Sequence, residues 1–432
     1  MNLIDVRAQP AETPRWPLAQ RIGFRFVFVY FVLYFIPFPL NVIPGLEFIS
    51  KALDSLWQAV ATWVAQHLLH LEHPLQFAET GSGDTTYAYV LLLTFAGLAM
   101  LATVVWSILD RRRRDYHTLH VWLRLYVRYD LIYFMLTYGL IKVIPNQFSS
   151  PSPGRLLQPY GQSSPMGLLW TFMGASTAYT IFAGAMETLG GVLLCFRRTI
   201  TLGALATVAV MTNVVMLNFC YDVPVKLLSS HLVLMALFLL APQLERLFRI
   251  LVMGHSAEAA PPEGPRLRRR WMRVTALVLK LALLGKVVYD ELDSGIERYA
   301  HGAGAPAPAL YGIYEVDRFV RNGETVAPLV TDATRWRRAT VSKRGYLTII
   351  RMNDTMIGYK VDVDPTRHVI TLAPRGPRAS YTLDYVDLPD GGIEVTGQLE
   401  NDLLTVVLRR DERAQLLTTR GFHWISETPF NR

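Results

Sequence analysis

The sequence predicts a polytopic α-helical membrane bundle of about seven spans followed by an extracytoplasmic antiparallel β-barrel domain. Three observations predict it. Apolar runs of about 20 residues, the length that crosses the hydrocarbon core of a bilayer, recur between Ile22 and Tyr289. Arginine clusters lie beside these runs rather than spread along the chain. From Tyr311 onward the hydrophobic period drops to that of strands. Composition agrees. Charged residues make up 18% of the 432 residues, below the roughly 25% usual for soluble domains. The mean hydropathy of +0.24 is modest for a membrane protein, so part of the chain is expected to be soluble. The net charge of +8 raises nucleic acid as a partner. The placement of the basic residues next to apolar runs points to the bilayer instead.

In chain order, residues 1–20 are polar, with three prolines, and read as a cytoplasmic tail without a cleaved signal peptide. The first span is expected at 22–40, with Arg21 and Arg25 at its start and Arg25 able to snorkel. Residues 47–75 carry Lys51, Asp54, Gln58 and three histidines. Leu53, Leu56, Val60 and Val64 recur at helical spacing, which predicts an amphipathic interfacial helix. His67, His70 and His73 within it have a spacing that can hold a metal or a haem, but no cysteine joins them, and a polar helix face is the expectation. The GSGDTT segment at 81–86 lacks the lysine of a phosphate-binding loop. It reads as a turn with Asp84 or Thr85 as a helix cap.

The second span is expected at 87–109 and is followed by four consecutive arginines at 111–114. His117 and His120, just beyond, read as solvated or in contact with lipid headgroups. The third span, 121–144, carries Arg124, Arg128 and Asp130. A Pro/Ser/Gly-rich outer loop follows at 145–168. The fourth span, 169–196, carries Glu187 and ends at Arg197 and Arg198; the fifth and sixth are 201–220 and 223–241. A basic linker with a Pro-rich middle covers 245–270, and a seventh span 272–289. With seven crossings, the arginines at 111–114, 197–198 and 266–270 fall on one side, and only sparse cations such as Lys51, Arg155 and Lys226 on the other. The positive-inside rule then puts the N-terminus in the cytoplasm and everything after Tyr289 outside. The expected divisions are 1–110, N-terminal spans with the interfacial helix; 111–250, a four-helix membrane core; 251–300, linker and seventh span; and 301–432, the β-domain.

Runs such as YLTIIRM, MIGYKVDV, HVITLAP, SYTLDYV, GIEVTGQL and LLTVVLRR alternate or are β-branched. They are separated by turn signals at Asn322-Gly323, Asp390-Gly391-Gly392 and Asn401-Asp402. Eight to nine strands at this spacing predict a barrel or sandwich. The stretch from Gly312 to Tyr314 is expected to open the first strand, and the stretch from Gly421 to Trp424 to close the last. The β-domain shows no nucleophile with a base, no carboxylate pair and no phosphate loop.

The candidate site centres on 218–231, NFCYDVPVKLLSSH, between two apolar runs. Ionisable groups at a membrane boundary are costly and usually serve a function. Asp222 is expected to cap the helix that has Pro224 in its first turn, with Lys226 one turn on. Lys142, Asp222 and Lys226 are expected to converge at the outer mouth of the bundle, under the β-domain. Asn218 and Tyr221 would lie beside them, and Asn213 and His231 at similar depth below. At the inner end, Glu187 is expected to pair with Arg124 or Arg128. Tyr126, Tyr129, Tyr133, Tyr138, Trp170 and Tyr179 either line a quinone-sized pocket or form an aromatic belt. Cys195 and Cys220 are placed too far apart for a disulfide.

At Tyr138 to Lys142, Glu187 to Gly191 and Asn218 to Lys226 the chain resembles the DoxX family. Gly139 with Lys142, and Glu187 with Gly190 and Gly191, match its short patterns. The resemblance implies a four-helix membrane fold over the third to sixth spans. The family is named for the membrane subunit of a thiosulfate:quinone oxidoreductase, so the resemblance also implies quinone as a possible cofactor. The C-terminal domain is similar to lipocalin-like barrels, with Gly312 and Tyr314 where those carry Gly-x-Trp. Three readings follow. The first is an envelope protein of the bacterial plasma membrane that binds a lipophilic ligand or a redox or envelope protein partner. The second is the membrane subunit of a quinone-linked oxidoreductase. The third is a small-molecule transporter, which the lack of a visible repeat disfavours.

Overall fold

The computed structural model describes residues 15–78, 80–256, 269–374, 376 and 379–431. Most of the expected tail (1–14) and the Pro-rich middle of the linker (257–268, with Arg266 and Arg268) lie outside the described residues. The helices are α1 Leu18–Phe35, α2 Glu47–His67, α3 Thr86–Leu109, α4 His117–Val143, α5 Pro153–Leu156, α6 Pro165–Ala175, α7 Thr177–Cys195, α8 Ile200–Cys220, α9 Lys226–Leu240, α10 Leu244–Leu251, α11 Arg270–His301 and α12 Leu416–Thr419. Among the described residues, five segments are long and apolar enough to cross a membrane: Leu18–Val42, Thr86–Leu109, Thr177–Cys195, Ile200–Cys220 and Lys226–Leu251. The expected third and seventh spans are helical, as α4 and α11, but carry too many charges to join that set.

The chain divides into two compact units, residues 1–139 with 185–291, and residues 140–184 with 292–432. The core of the first is formed by residues such as Val127, Leu131, Leu194, Ala204 and Met235, none of which reaches solvent. Glycines set the helix spacing there. A Cβ on Gly191 would stand 3.1 Å from Met135 Cβ of α4, and one on Gly190 would stand 2.9 Å from Thr207 Oγ1 of α8. The Gly-Gly pair of the motif after Glu187 therefore has a packing role of its own.

Two cations of α1 bond the end of α3 and the loop that follows it. Arg25, expected to snorkel, is instead buried. It donates to Tyr116 Oη at 2.9 Å, Ser107 Oγ at 2.7 Å and the Asp110 carbonyl at 3.1 Å. Arg21 donates to the Arg113 carbonyl at 2.7 Å. His117 and His120 are not simply solvated. His117 Nε2 accepts from Trp16 Nε1 at 3.2 Å, and His120 lies among Trp16, Phe24 and Phe238. α2 ends at His67, and His70 takes a left-handed φ of 50°, so the three histidines do not share one helix.

In the second unit the expected fourth span is broken. α6 ends at Ala175 and α7 starts at Thr177, with Ser176 extended between them and its Oγ accepting from Tyr179 N–H at 3.2 Å. The break lies next to Gly174, where a Cβ would overlap the Ser149 carbonyl oxygen of the outer loop. Within that loop, α5 packs against two strands of the β-domain.

The β-domain holds β1 Gly312–Arg321, β2 Glu324–Thr325, β3 Trp336–Val341, β4 Tyr346–Arg351, β5 Met356–Asp364, β6 Val369–Pro374, β7 Tyr381–Asp387, β8 Ile393–Leu399 and β9 Asp402–Arg410. All neighbours are antiparallel in the order β1-β3-β4-β5-β6-β7-β8-β9. The pairing of β1 with β9 closes this eight-stranded barrel, and β2 is a short addition to β1. Alternate residues point inward, among them Ile370 and Leu372, Leu383 and Tyr385, and Leu404, Val406 and Leu408. Residues 421–424, expected to close the last strand, are not strand. β9 ends at Arg410, Asp411 Oδ1 then accepts from the N–H groups of Arg413 and Ala414, and Phe422 and Trp424 are exposed.

Candidate functional site

The turn at 218–231 joins two helix ends. α8 stops at Cys220, Asp222 adopts a left-handed φ of 50°, and α9 starts at Lys226. Asp222 does not cap α9. The helix begins after Val225 rather than at Pro224, which leaves Asp222 too far back. Its side chain is 84% exposed and receives only Lys226 Nζ, at 2.9 Å. Asp84 provides the cap from the loop before α3. Its Oδ2 accepts from Lys226 N–H at 2.8 Å and its Oδ1 from Leu227 N–H at 3.0 Å. A carboxylate on exposed helix N–H groups is favoured both by hydrogen bonding and by the helix dipole. The loop is docked by Gly83 N–H on the Pro224 carbonyl at 2.7 Å. A Cβ on Gly83 would touch that oxygen at 3.4 Å. Lys226 Nζ also lies 3.9 Å from Asp84 Oδ2, so this polar layer is Asp84, Lys226 and Asp222. Thr85 meanwhile caps its own helix, its Oγ1 accepting from Ala88 N–H at 3.2 Å.

The other residues of the turn separate into different surroundings. Asn218 is buried and donates to Ser229 Oγ at 3.0 Å, which ties α8 to α9. Tyr221 is half-buried beside the turn, while Asn213 is exposed on α8 and takes no part in it. His231 is buried, with Nδ1 at 2.7 Å from the Leu227 carbonyl, Nε2 at 2.6 Å from Tyr30 Oη, and the Tyr34 ring stacked at 4.1 Å. It belongs to the contact with α1. Lys142 is buried in the last turn of α4 and belongs to the second unit.

At the other end, Glu187 and Arg128 are buried. Arg128 Nε donates to the Leu194 carbonyl at 2.6 Å, and Arg124 Nη2 to the Leu239 carbonyl at 2.7 Å. Lys280 of α11 donates to the Cys195 carbonyl. These are last-turn carbonyls of α7 and α9, where cations are favoured. The expected pairing of Glu187 with Arg124 or Arg128 did not foresee these carbonyl contacts, because a carbonyl acceptor carries no residue-type signal. Asp84 was missed as a partner of α9 for a similar reason: it is 142 positions from Lys226. Of the aromatic candidates, Tyr126 donates to the Phe38 carbonyl at 2.7 Å and Tyr133 packs on Phe38. Trp170 packs on Phe148, and Tyr179 on Phe172. Among the described residues no group of three His, Cys, Asp or Glu side chains is placed to hold a metal. Cys195 and Cys220 are both free.

A cavity lies in the second unit. It has a volume of about 820 Å³, between the outer loop with α6 and the β3–β4 hairpin. The barrel interior, in contrast, leaves only about 30 Å³, lined by apolar side chains such as Trp336, Val361 and Leu383. That is room for about one water molecule.

Among known proteins, the chain is 37% identical over 113 residues to the uncharacterized protein YwoB of Bacillus subtilis (strain 168), which covers 26% of this chain and 71% of that protein. No family model matches the chain. No solved structure matches it.

Proposed function

The chain belongs to the family of the Bacillus subtilis protein YwoB, and from that premise we propose that it is a DoxX-like protein of the bacterial plasma membrane whose lipocalin-like barrel stands outside and which binds a lipophilic ligand or an envelope partner. The observation that carries this reading is a parity of helix crossings. Chain segments that touch at a membrane surface must be separated by an even number of crossings. Trp16 N–H bonds the Arg114 carbonyl at 3.1 Å, so the start of α1 and the end of α3 share a side. Two crossings, α1 and α3, satisfy this, and α2 lies along the interface. Asp84 bonds Lys226 and Leu227, so the starts of α3 and α9 share a side. Between them the strongly apolar segments α3, α7 and α8 give three crossings; α4 makes four. The outer loop and the barrel line one cleft. Between them α7, α8 and α9 give three crossings, and α11 makes four. Five apolar segments with α4 and α11 give seven.

This count supports an N-terminus in the cytoplasm and a barrel outside, because the arginines at 111–114 and 197–198 then fall inside. The same sidedness puts the carbonyl-bonded cations Arg21, Arg25, Arg124, Arg128 and Lys280 at cytoplasmic helix ends. A reporter that fluoresces only in the cytoplasm, fused after Arg432, is expected to stay dark, while the same reporter fused before Met1 shines. Fluorescence from the Arg432 fusion would overturn the reading.

One observation favours a second reading, the membrane subunit of a quinone-linked oxidoreductase. Half-buried Tyr30 and Tyr34 stack with buried His231 between α1 and α9, with chemistry suited to a quinone carbonyl.

A further inference from the structure

We propose that the cleft between the outer loop and the β3–β4 hairpin binds a phosphate-bearing anion, with Arg155, Lys343 and Arg344 on the phosphate and Met166 and Trp170 beside it for an apolar tail. This deepens the ligand-binding reading above and rests on it. The cavity of about 820 Å³ is lined by these three cations and, among the described residues, by no carboxylate. Several arginines elsewhere on the barrel are paired with acids instead. Arg318 pairs with Glu394, Arg337 with Asp354, Arg338 with Glu315, and Arg409 with Asp317 and Asp390. Among the described residues, Arg155 and Lys343 at the cleft meet neutral partners. Arg155 Nε donates to Thr171 Oγ1 at 2.8 Å and its Nη1 to Gln158 Oε1; Lys343 Nζ reaches the Ala303 carbonyl at 3.4 Å.

The fold holds these groups in place. Arg155 is half-buried, and its guanidinium lies over Gly167, where a Cβ would stand 2.9 Å from Nη2. It is thus held in place with a charged face that, among the described residues, no acid neutralises. Lys343 and Arg344 occupy the tip of the β3–β4 hairpin. Gly345 turns there with a φ of 70°, and Ser342 Oγ accepts from Tyr346 N–H at 3.2 Å. Thr340, Ser342 and Thr348 add hydroxyls from the barrel wall. A fixed guanidinium with hydroxyl donors and two further cations is the recognition chemistry of a phosphate. The gap in Gln147 completes the picture: its Oε1 is buried at the cleft without a hydrogen-bond partner, an acceptor that a ligand hydroxyl would satisfy. The outer loop joins the membrane helices α4 and α6, so both a lipid headgroup and a free phosphate present the same chemistry here.

The test uses the full chain purified in a neutral detergent and examined by native mass spectrometry. Short-chain phosphatidylglycerol, phosphatidylcholine and inorganic phosphate are added in separate arms. We expect retained phosphatidylglycerol at least tenfold above phosphatidylcholine, and about tenfold weaker retention for each of Arg155→Gln and the pair Lys343→Gln with Arg344→Gln. Arg367→Gln, an exposed barrel variant, serves as control and should bind normally. Arg155→Lys should recover part of the affinity, which separates ligand contact from loss of fold. Displacement of the lipid by millimolar inorganic phosphate would identify a soluble phosphate as the ligand; no displacement would identify the lipid. Equal retention of both lipids with no phosphate binding, or equal retention by wild type and the cation variants, would overturn the proposal. The dark Arg432 fusion would be unaffected by that failure, so the two readings fail separately.

Discussion

At the scale of single residues, the account turns on which acid serves the start of α9. Asp84 bonds two of its N–H groups and has a side chain only 8% exposed; Asp222 is 84% exposed and meets one lysine. Loss of a cap costs about 1–2 kcal/mol, while an exposed ion pair contributes about 0–1 kcal/mol. Asp84→Ala is therefore expected to lower the thermal unfolding midpoint in detergent clearly more than Asp222→Asn. Asparagine is the fair replacement at 222 because it tolerates the left-handed backbone there. Equal losses, or a larger one at 222, would restore the local cap. The sequence displayed the right chemistry at this turn and the wrong donor. Pro224 and the Asp-to-Lys spacing are visible locally, whereas the docking of Gly83 on Pro224 is a tertiary event. For the arginines, the positions on α4 were legible, but the carbonyls of Leu194 and Leu239 that accept from them leave no trace in residue type.

At the scale of elements, strand periodicity was the most readable signal. The six quoted runs fall on β4 to β9 within about a residue or two at each end, because one buried face and one wet face impose the alternation directly. β3 was not foreseen, since WRRATV puts two arginines in succession and hides its buried Ala339 and Val341. The closing strand was misplaced onto 421–424, where aromatic residues imitate a strand but the pairing partner of β1 is already β9. Helices were less exact because apolar character does not mark breaks. The expected fourth span runs through Ser176 without a change of composition, and only the approach of Gly174 to Ser149 divides it. A Cβ at 174 would overlap the Ser149 carbonyl oxygen. Gly174→Ala should therefore destabilise the protein by about 1–3 kcal/mol, seen as a lower unfolding midpoint in detergent. A neutral effect would mean that the outer loop is not packed on α6 as described.

At the scale of the whole molecule, the claim is that α4 and α11 cross the bilayer although their charges keep them out of the strongly apolar set. Their cations are not isolated in hydrocarbon: Arg124, Arg128 and Lys280 each end on a helix-terminal carbonyl, which lowers the cost of placing them there. The most direct measurement is thiol accessibility across α11. In a background of Cys195→Ser and Cys220→Ser, single cysteines are placed by Arg273→Cys at the start of α11 and by Asp354→Cys on the exposed β4–β5 turn. Spheroplasts are treated with a membrane-impermeant maleimide before and after lysis. The account predicts that Asp354→Cys is labelled in intact spheroplasts and Arg273→Cys only after lysis. Equal labelling of both positions in intact spheroplasts, or protection of both, would place the two ends of α11 on one side and contradict it.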